Sequence, residues 1–145
     1  MKTPAELELN YLTAIILLNY FNDKVVKKHN ASQESVESFK LKHPAYIDIP
    51  MAFLHLAIIS ARELYEAKQG DGLGDAEWNR LRELRNSIAH AEKIKDQQIR
   101  QIASTSELFS ILNKLNQYLY KKYDLEKDKA WQKHIKNYYK DLDGY

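Results

Sequence analysis

Apolar residues recur every three or four positions along most of this 145-residue chain, and no stretch alternates convincingly at period two. Leu7, Tyr11, Ala14, Ile15, Leu18, Phe21 and Val25 set the pattern, and Leu54, Ala57, Ile58, Ala61 and Leu64 repeat it. It returns in Leu108, Ile111, Leu112, Leu115, Tyr118 and Leu119 and again in Trp131, Ile135, Tyr138 and Leu142. Such spacing lays an apolar stripe along a helix and scatters the same residues over both faces of a strand. The chain has four Gly and three Pro, too few for the turns of a sandwich or barrel. Its length suits one cored domain. The expectation is an all-α fold, a compact helical bundle of five to seven helices in a single domain over residues 1–145.

Local signals set the helix ends. Thr3, Pro4 and Glu6 read as a capping box with Pro in the first turn, opening a helix that runs to about residue 29. Leu12, Ile16 and Leu17 widen its stripe beyond one face, which predicts a central helix packed on several sides or in a dimer seam. Asn30, Ala31 and Ser32 suit the cap of a short second helix from Gln33 to about Leu41, stopped by Pro44. Asp48 and Pro50 open a third, ended at Gly70, and Asp75 caps the next after the Gly70 to Gly74 connector. That connector lacks the following Lys-Ser/Thr of a phosphate loop. Ser104 and Glu107 form a second capping box, and Asp128 starts the last helix.

Composition removes several function classes. With no Cys the chain holds no disulfide framework, thiolate metal site or Cys nucleophile, which fits a reducing, cytoplasmic setting. The Tyr11 to Phe21 run is broken by Thr13 and Asn19 and is shorter than the roughly 20 residues that span a bilayer. Glu6 and Glu8 precede it where a signal peptide would be basic, so neither a membrane partner nor a secreted product is expected, and Asn30-Ala31-Ser32 is an idle glycosylation sequon. A net charge of +2 cannot by itself steer nucleic acid, so any capture must come from local clustering.

The segment with chemistry to offer is Arg85-Asn86-Ser87-Ile88-Ala89-His90, framed by Leu81, Leu84 and Ile88. A guanidinium presents a fork of donors to phosphate, and an imidazole moves protons near neutral pH. Arg85, Asn86 and His90 resemble, in order and spacing, the Arg-x4–6-His motif of the HEPN superfamily. That resemblance implies a helical domain, usually dimeric, in which two motif helices face one cleft. It also implies metal-independent RNA cleavage in many members and catalytically silent binding in others. The minimal toxin subtype carries a Tyr two positions after the His, where this chain has Glu92, so the likeness is to the superfamily and not to that subtype.

On a helical wheel Arg82, Asn86 and His90 share the polar face and Arg85 sits at its border, about 140° from His90. A second protomer would bring the Arg of one chain to the His of the other, so dimer and chemistry are linked expectations. In that reading His90 is the general acid or base for attack of a ribose 2′-hydroxyl on the adjacent phosphate. Arg85 stabilises the charge that develops, and Asn86 orients His90 or substrate. No metal-ligand set or cofactor motif accompanies them, and none is expected.

Arg82, Trp78, His55 and Arg62 are the candidates for substrate contact. Each has a plainer alternative: Trp78 suits core packing as well as base stacking, and His55, among Met51, Leu54, Ile58 and Ile59, suits a hydrogen-bonded core position. Tyr118, Tyr120, Tyr123, Tyr138 and Tyr139 interleave with Lys114, Lys121, Lys122, Lys133, Lys136 and Lys140, either as a single-stranded RNA surface or as core stripes with solvated lysines. The functional expectation is a homodimeric, HEPN-type ribonuclease acting on RNA. The alternatives are a silent module that binds RNA or nucleotide, and a helical adaptor for a protein partner.

Overall fold

The computed structural model describes residues 3–68, 72–89 and 106–144, and the side chains of all of these except 4, 47, 68, 84–89 and 106–108. They form six helices and no strand: α1 (Pro4–Ser32), α2 (Val36–Lys42), α3 (Pro44–Lys68), α4 (Asp75–Ala89), α5 (Ser106–Tyr123) and α6 (Lys129–Asp143). The all-α bundle expected from periodicity is what the chain adopts.

At the start of α1 the Thr3 hydroxyl accepts from the Glu6 amide at 3.2 Å, and the Thr3 amide donates to the Glu6 carboxylate at 2.7 Å. That reciprocal pair satisfies two end donors that would otherwise need water. The far end differs from expectation. Asn30, Ala31 and Ser32 do not cap α2 but form the last turn of α1, which stops at Gln33 in the left-handed conformation with φ 58°. Ser32 binds locally instead, donating to the His29 carbonyl at 2.6 Å, and Ser35 caps α2 by accepting from the Ser38 amide.

The third helix also begins earlier than its prolines suggest. Pro44, not Pro50, stands at its first position, and Pro50 lies inside it. Pro50 has no amide proton, so the Tyr46 carbonyl lacks its usual donor four residues on. Among the described residues, the Pro44–Ala67 stretch of α3 is the one helix long and apolar enough, by length and composition, to cross a membrane. Its Leu54, Ala57, Ile58, Ala61 and Leu64 face is buried in the bundle, while Ile49, Ala52 and Leu56 lie exposed on another stripe.

α1 and α3 make the largest interface. They run antiparallel: Phe21 stacks on Phe53, and near the connection Phe39 of α2 meets both His29 and Tyr46. α5 lies along α1 in the opposite sense, since Tyr11 reaches Leu112 while Glu8 reaches Lys122 and Tyr123. α6 follows α1 in the same direction, with Trp131 on Tyr120 at its start and Tyr139 and Asp143 on Tyr20 at its end. The width of α1's apolar surface is consumed within one protomer, because Leu12 and Ile16 are both buried.

Tyr11 stands at the centre of the core, fully buried, with its hydroxyl donating to the Leu112 carbonyl at 2.7 Å. Burial pushes its pKa far up, so the phenol stays protonated and remains a donor. Tyr11→Phe keeps the ring and removes this one bond, and is expected to lower unfolding stability by about 1 kcal/mol. Urea denaturation of the two proteins, with unchanged dependence on denaturant, checks it.

Candidate functional site

The motif helix is fixed at its start. Gly72 has φ 94°, a conformation that L side chains rarely adopt, and a Cβ there would come within 2.7 Å of the Tyr118 ring. This close approach lets the turn before α4 pass over α5. Gly74 caps α4 in place of the expected Asp75: its carbonyl accepts from the Trp78 amide at 3.0 Å, and its amide donates to the Glu77 carboxylate at 3.0 Å. The same Glu77 oxygen receives Lys114 of α5 at 2.9 Å. That ammonium and the Gly74 amide hold the Glu77 carboxyl below its usual pKa.

Trp78 and Arg62 then lock α4 to α3. The indole is 1 % exposed and lies against the Tyr65 ring, with centroids 4.6 Å apart. Arg62 is 5 % exposed, donates to the Trp78 carbonyl at 3.2 Å, lies over the Tyr65 ring and pairs with Glu66 at 3.7 Å. The structure brings both residues into the α3–α4 packing: Trp78 takes the core position that was the alternative to base stacking, and the Arg62 guanidinium is engaged by a carbonyl, a ring and a carboxylate.

Arg82 is exposed on the outer face of α4 and remains available to a ligand. Arg85 and Asn86 lie in the last turns of α4, and their side chains fall outside those described; His90 falls outside the described residues altogether. His55 is half-buried on α3, and desolvation lowers its pKa below the ordinary 6.5.

The structure gathers another group that spacing along the chain did not reveal. Asn19 of α1 and Ser110, Asn113 and Asn116 of α5 line a groove of about 470 Å³ floored by Ile15, Leu18 and Leu112, with the exposed Phe109 at its rim. Among the described residues, the buried Asn116 side-chain oxygen has no hydrogen-bond partner. Amides and a hydroxyl offer both donors and acceptors to an uncharged polar edge. Asn113 and Asn116 are three apart and share a face of α5, a signal visible in sequence. Their meeting with Asn19 depends on the antiparallel packing of α1 and α5.

No family model matches this chain, and neither does any curated protein or solved structure.

His55 gives a pH test of the packing around α3. The unfolded chain takes up a proton near pH 6.5 and the folded chain only at lower pH, so falling pH favours unfolding. Stability is expected to decline from 6.5 down towards the folded pKa, and His55→Gln should flatten that part of the curve. Glu34, Glu77 and Asp143, whose pKa values are lowered chiefly by Lys42, Lys114 and the Tyr20 hydroxyl, respectively, act separately. They lose their contributions as pH falls below their unfolded values of 4.5 for the two Glu and 3.8 for Asp143. Denaturant titrations at intervals from about pH 2 to 8 separate the two windows.

Proposed function

We propose that this protein is a HEPN-type endoribonuclease that cleaves RNA without a metal ion, as a homodimer in the cytoplasm. The observation that supports the reading is the Arg85, Asn86, His90 series in the sequence, whose first two members belong to the last turns of α4, a helix whose other end is anchored by Trp78, Arg62 and Glu77. A rigid anchor on one side lets the far end present its groups with little reorganisation, which is what stabilising a pentavalent phosphate requires.

In the proposed step the imidazole of His90 takes the proton of a ribose 2′-hydroxyl as the oxygen attacks the adjacent phosphorus. The 5′-oxygen leaves with a proton supplied by an acid, and the product is a 2′,3′-cyclic phosphate. Arg85 offsets the extra negative charge on the phosphoryl oxygens, and Asn86 orients the ring or the substrate. Projected on a helical wheel from the sequence, Arg85 and His90 lie about 140° apart, so the proposed pair is completed across a two-fold axis. Ile49, Ala52 and Leu56 on the outer stripe of α3 supply apolar surface of the kind a dimer buries.

The amide-lined groove favours a second reading. Asn19, Ser110, Asn113 and the Asn116 oxygen offer hydrogen bonds to the edge of a base, and Phe109 offers a ring to stack on it. A catalytically silent module that holds RNA or nucleotide uses these groups and needs no chemistry at His90. An adaptor for a protein partner would instead use the α3 stripe.

Single-stranded RNA incubated with the protein in EDTA is expected to be cut to fragments with cyclic phosphate ends, and His90→Ala is expected to abolish this with an unchanged circular dichroism spectrum. Activity that disappears on chelation, or survives in the variant, overturns the mechanism. Tight RNA or nucleotide binding without cleavage selects the silent module.

Trans pairing makes a separate prediction. Arg85→Ala and His90→Ala homodimers should each be nearly inactive, and mixing them with verified subunit exchange should restore activity through the one intact pair. Heterodimers that stay inactive exclude the simple exchange of groups between protomers.

A further inference from the structure

Helix α6 divides sharply into two faces. Trp131, Ile135, Tyr138, Tyr139 and Leu142 are half-buried: Trp131 donates to the Tyr120 hydroxyl at 2.9 Å, and Tyr139 packs edge-on against Tyr20. The tyrosines that could have stacked bases are therefore largely engaged in packing the helix on α1 and α5. Lys129, Lys133, Lys136 and Lys140 are all exposed. At spacings of four, three and four they fall within an arc of about 60° and form one line about 16 Å long.

None of these four lysines has an ion-pair partner among the described residues. Like charges three or four apart on a helix repel, so the stripe works against the helix that carries it. At its C-terminal end Asp143 is taken up by the Tyr20 hydroxyl at 2.6 Å and by Lys24 at 3.6 Å.

We propose that Lys129, Lys133, Lys136 and Lys140 form a track for the sugar-phosphate backbone of single-stranded RNA. A line of unpaired ammonium groups one residue wide complements a linear polyanion, and counterion release supplies the attraction. An anionic membrane would select the opposite design. A helix lying on lipid turns its apolar face outward into the bilayer boundary, whereas that face of α6 is turned inward onto Tyr20 and Tyr120. The choice of RNA as the polyanion rests on the proposed function, but the track itself makes no use of His90.

The test uses the full chain and a fluorescent 2′-O-methyl oligouridylate, which can bind but has no 2′-hydroxyl for cleavage. With about four phosphates neutralised, the slope of log affinity against log salt should be near −3 for the track alone, equivalent to roughly 50-fold weaker binding between 50 and 200 mM KCl. Replacing all four α6 lysines with Gln should remove about 3 from the slope and weaken binding at low salt at least tenfold. Its circular dichroism spectrum should match that of the parent, so that the loss of binding is read on a folded protein. A matched comparison of Lys133→Gln/Lys136→Gln with Lys40→Gln/Lys42→Gln on α2 separates the track from bulk charge. Equal losses in that pair, an unchanged slope in the fourfold variant, absence of oligonucleotide binding, or lysine-dependent capture by phosphatidylserine vesicles without RNA binding would each overturn the proposal. Cleavage of unmodified RNA is read on the same proteins: intact track binding without cleavage removes the ribonuclease reading alone, and cleavage that persists without the track removes the track alone.

Discussion

The antiparallel pairing of α1 with α3 is the constraint from which the remaining helices take their places. Tyr11, Ala57, Ile58 and Ala61 are all fully buried, and small residues on α3 allow the larger side chains of α1 to approach. Burial of each large apolar side chain contributes about 1.5–3 kcal/mol, so this interface outweighs any of the surface ion pairs, which are worth about 0–1 kcal/mol apiece. α5 closes over it through Leu112, Leu115 and Leu119. Two polar contacts orient it: the Tyr11 hydroxyl on the Leu112 carbonyl, and Lys122 and Tyr123 on the buried Glu8 carboxylate. Apolar area holds the helices together, and these bonds choose their direction and register, since a slipped α5 would strand a buried carboxylate without its partners.

What could be read from the chain was local. Helical period is a property of neighbours within two turns, and the caps at Thr3 and Asp128 involve residues three apart, so the elements they govern appear where expected. The boundaries that moved were those at which two local solutions compete. Ser32 and Ser35 can both end or begin a helix, and Ser32 is drawn back to the His29 carbonyl while Ser35 takes the cap. Pro44 and Pro50 can both open α3, and Pro44 takes the first position while Pro50 lies inside the helix at the loss of one amide donor.

The candidate site was legible as a motif but not as a surface. Whether Trp78 stacks on a base or on the core is decided by Tyr65, thirteen residues away, and whether Arg62 meets a phosphate is decided by the Trp78 carbonyl. Neither outcome is encoded in the composition of one helix. The asparagine groove shows the same limit: Asn113 and Asn116 announce a polar face of α5, but only the packing of α1 supplies Asn19 opposite them. The interleaved tyrosines and lysines near the C-terminus are likewise ambiguous until α6 is docked, which turns the rings largely inward and leaves the ammonium groups outside.

A net charge of +2 understates what such sorting can do electrostatically. Fields near a protein surface decay over about 10 Å at 0.1 M salt, so a partner responds to the charges within that range and not to the sum over the chain. Asp143 at the end of α6, Glu34 before α2 and Glu77 of α4 are drawn into pairs with Lys24, Lys42 and Lys114, which neutralises those regions locally. The lysines of α6 have no such counterions among the described residues, and the positive potential concentrates there. A nearly neutral chain can therefore carry a strongly basic face, provided that its acids are pinned elsewhere by tertiary structure. Here the pinning is done by the contacts that fix the helices: Glu77 with Lys114 joins α4 to α5, and Asp143 with Tyr20 joins α6 to α1. Stability and surface potential are thus set by the same few carboxylates, and losing any one of them would loosen a helix and free an ammonium group at once.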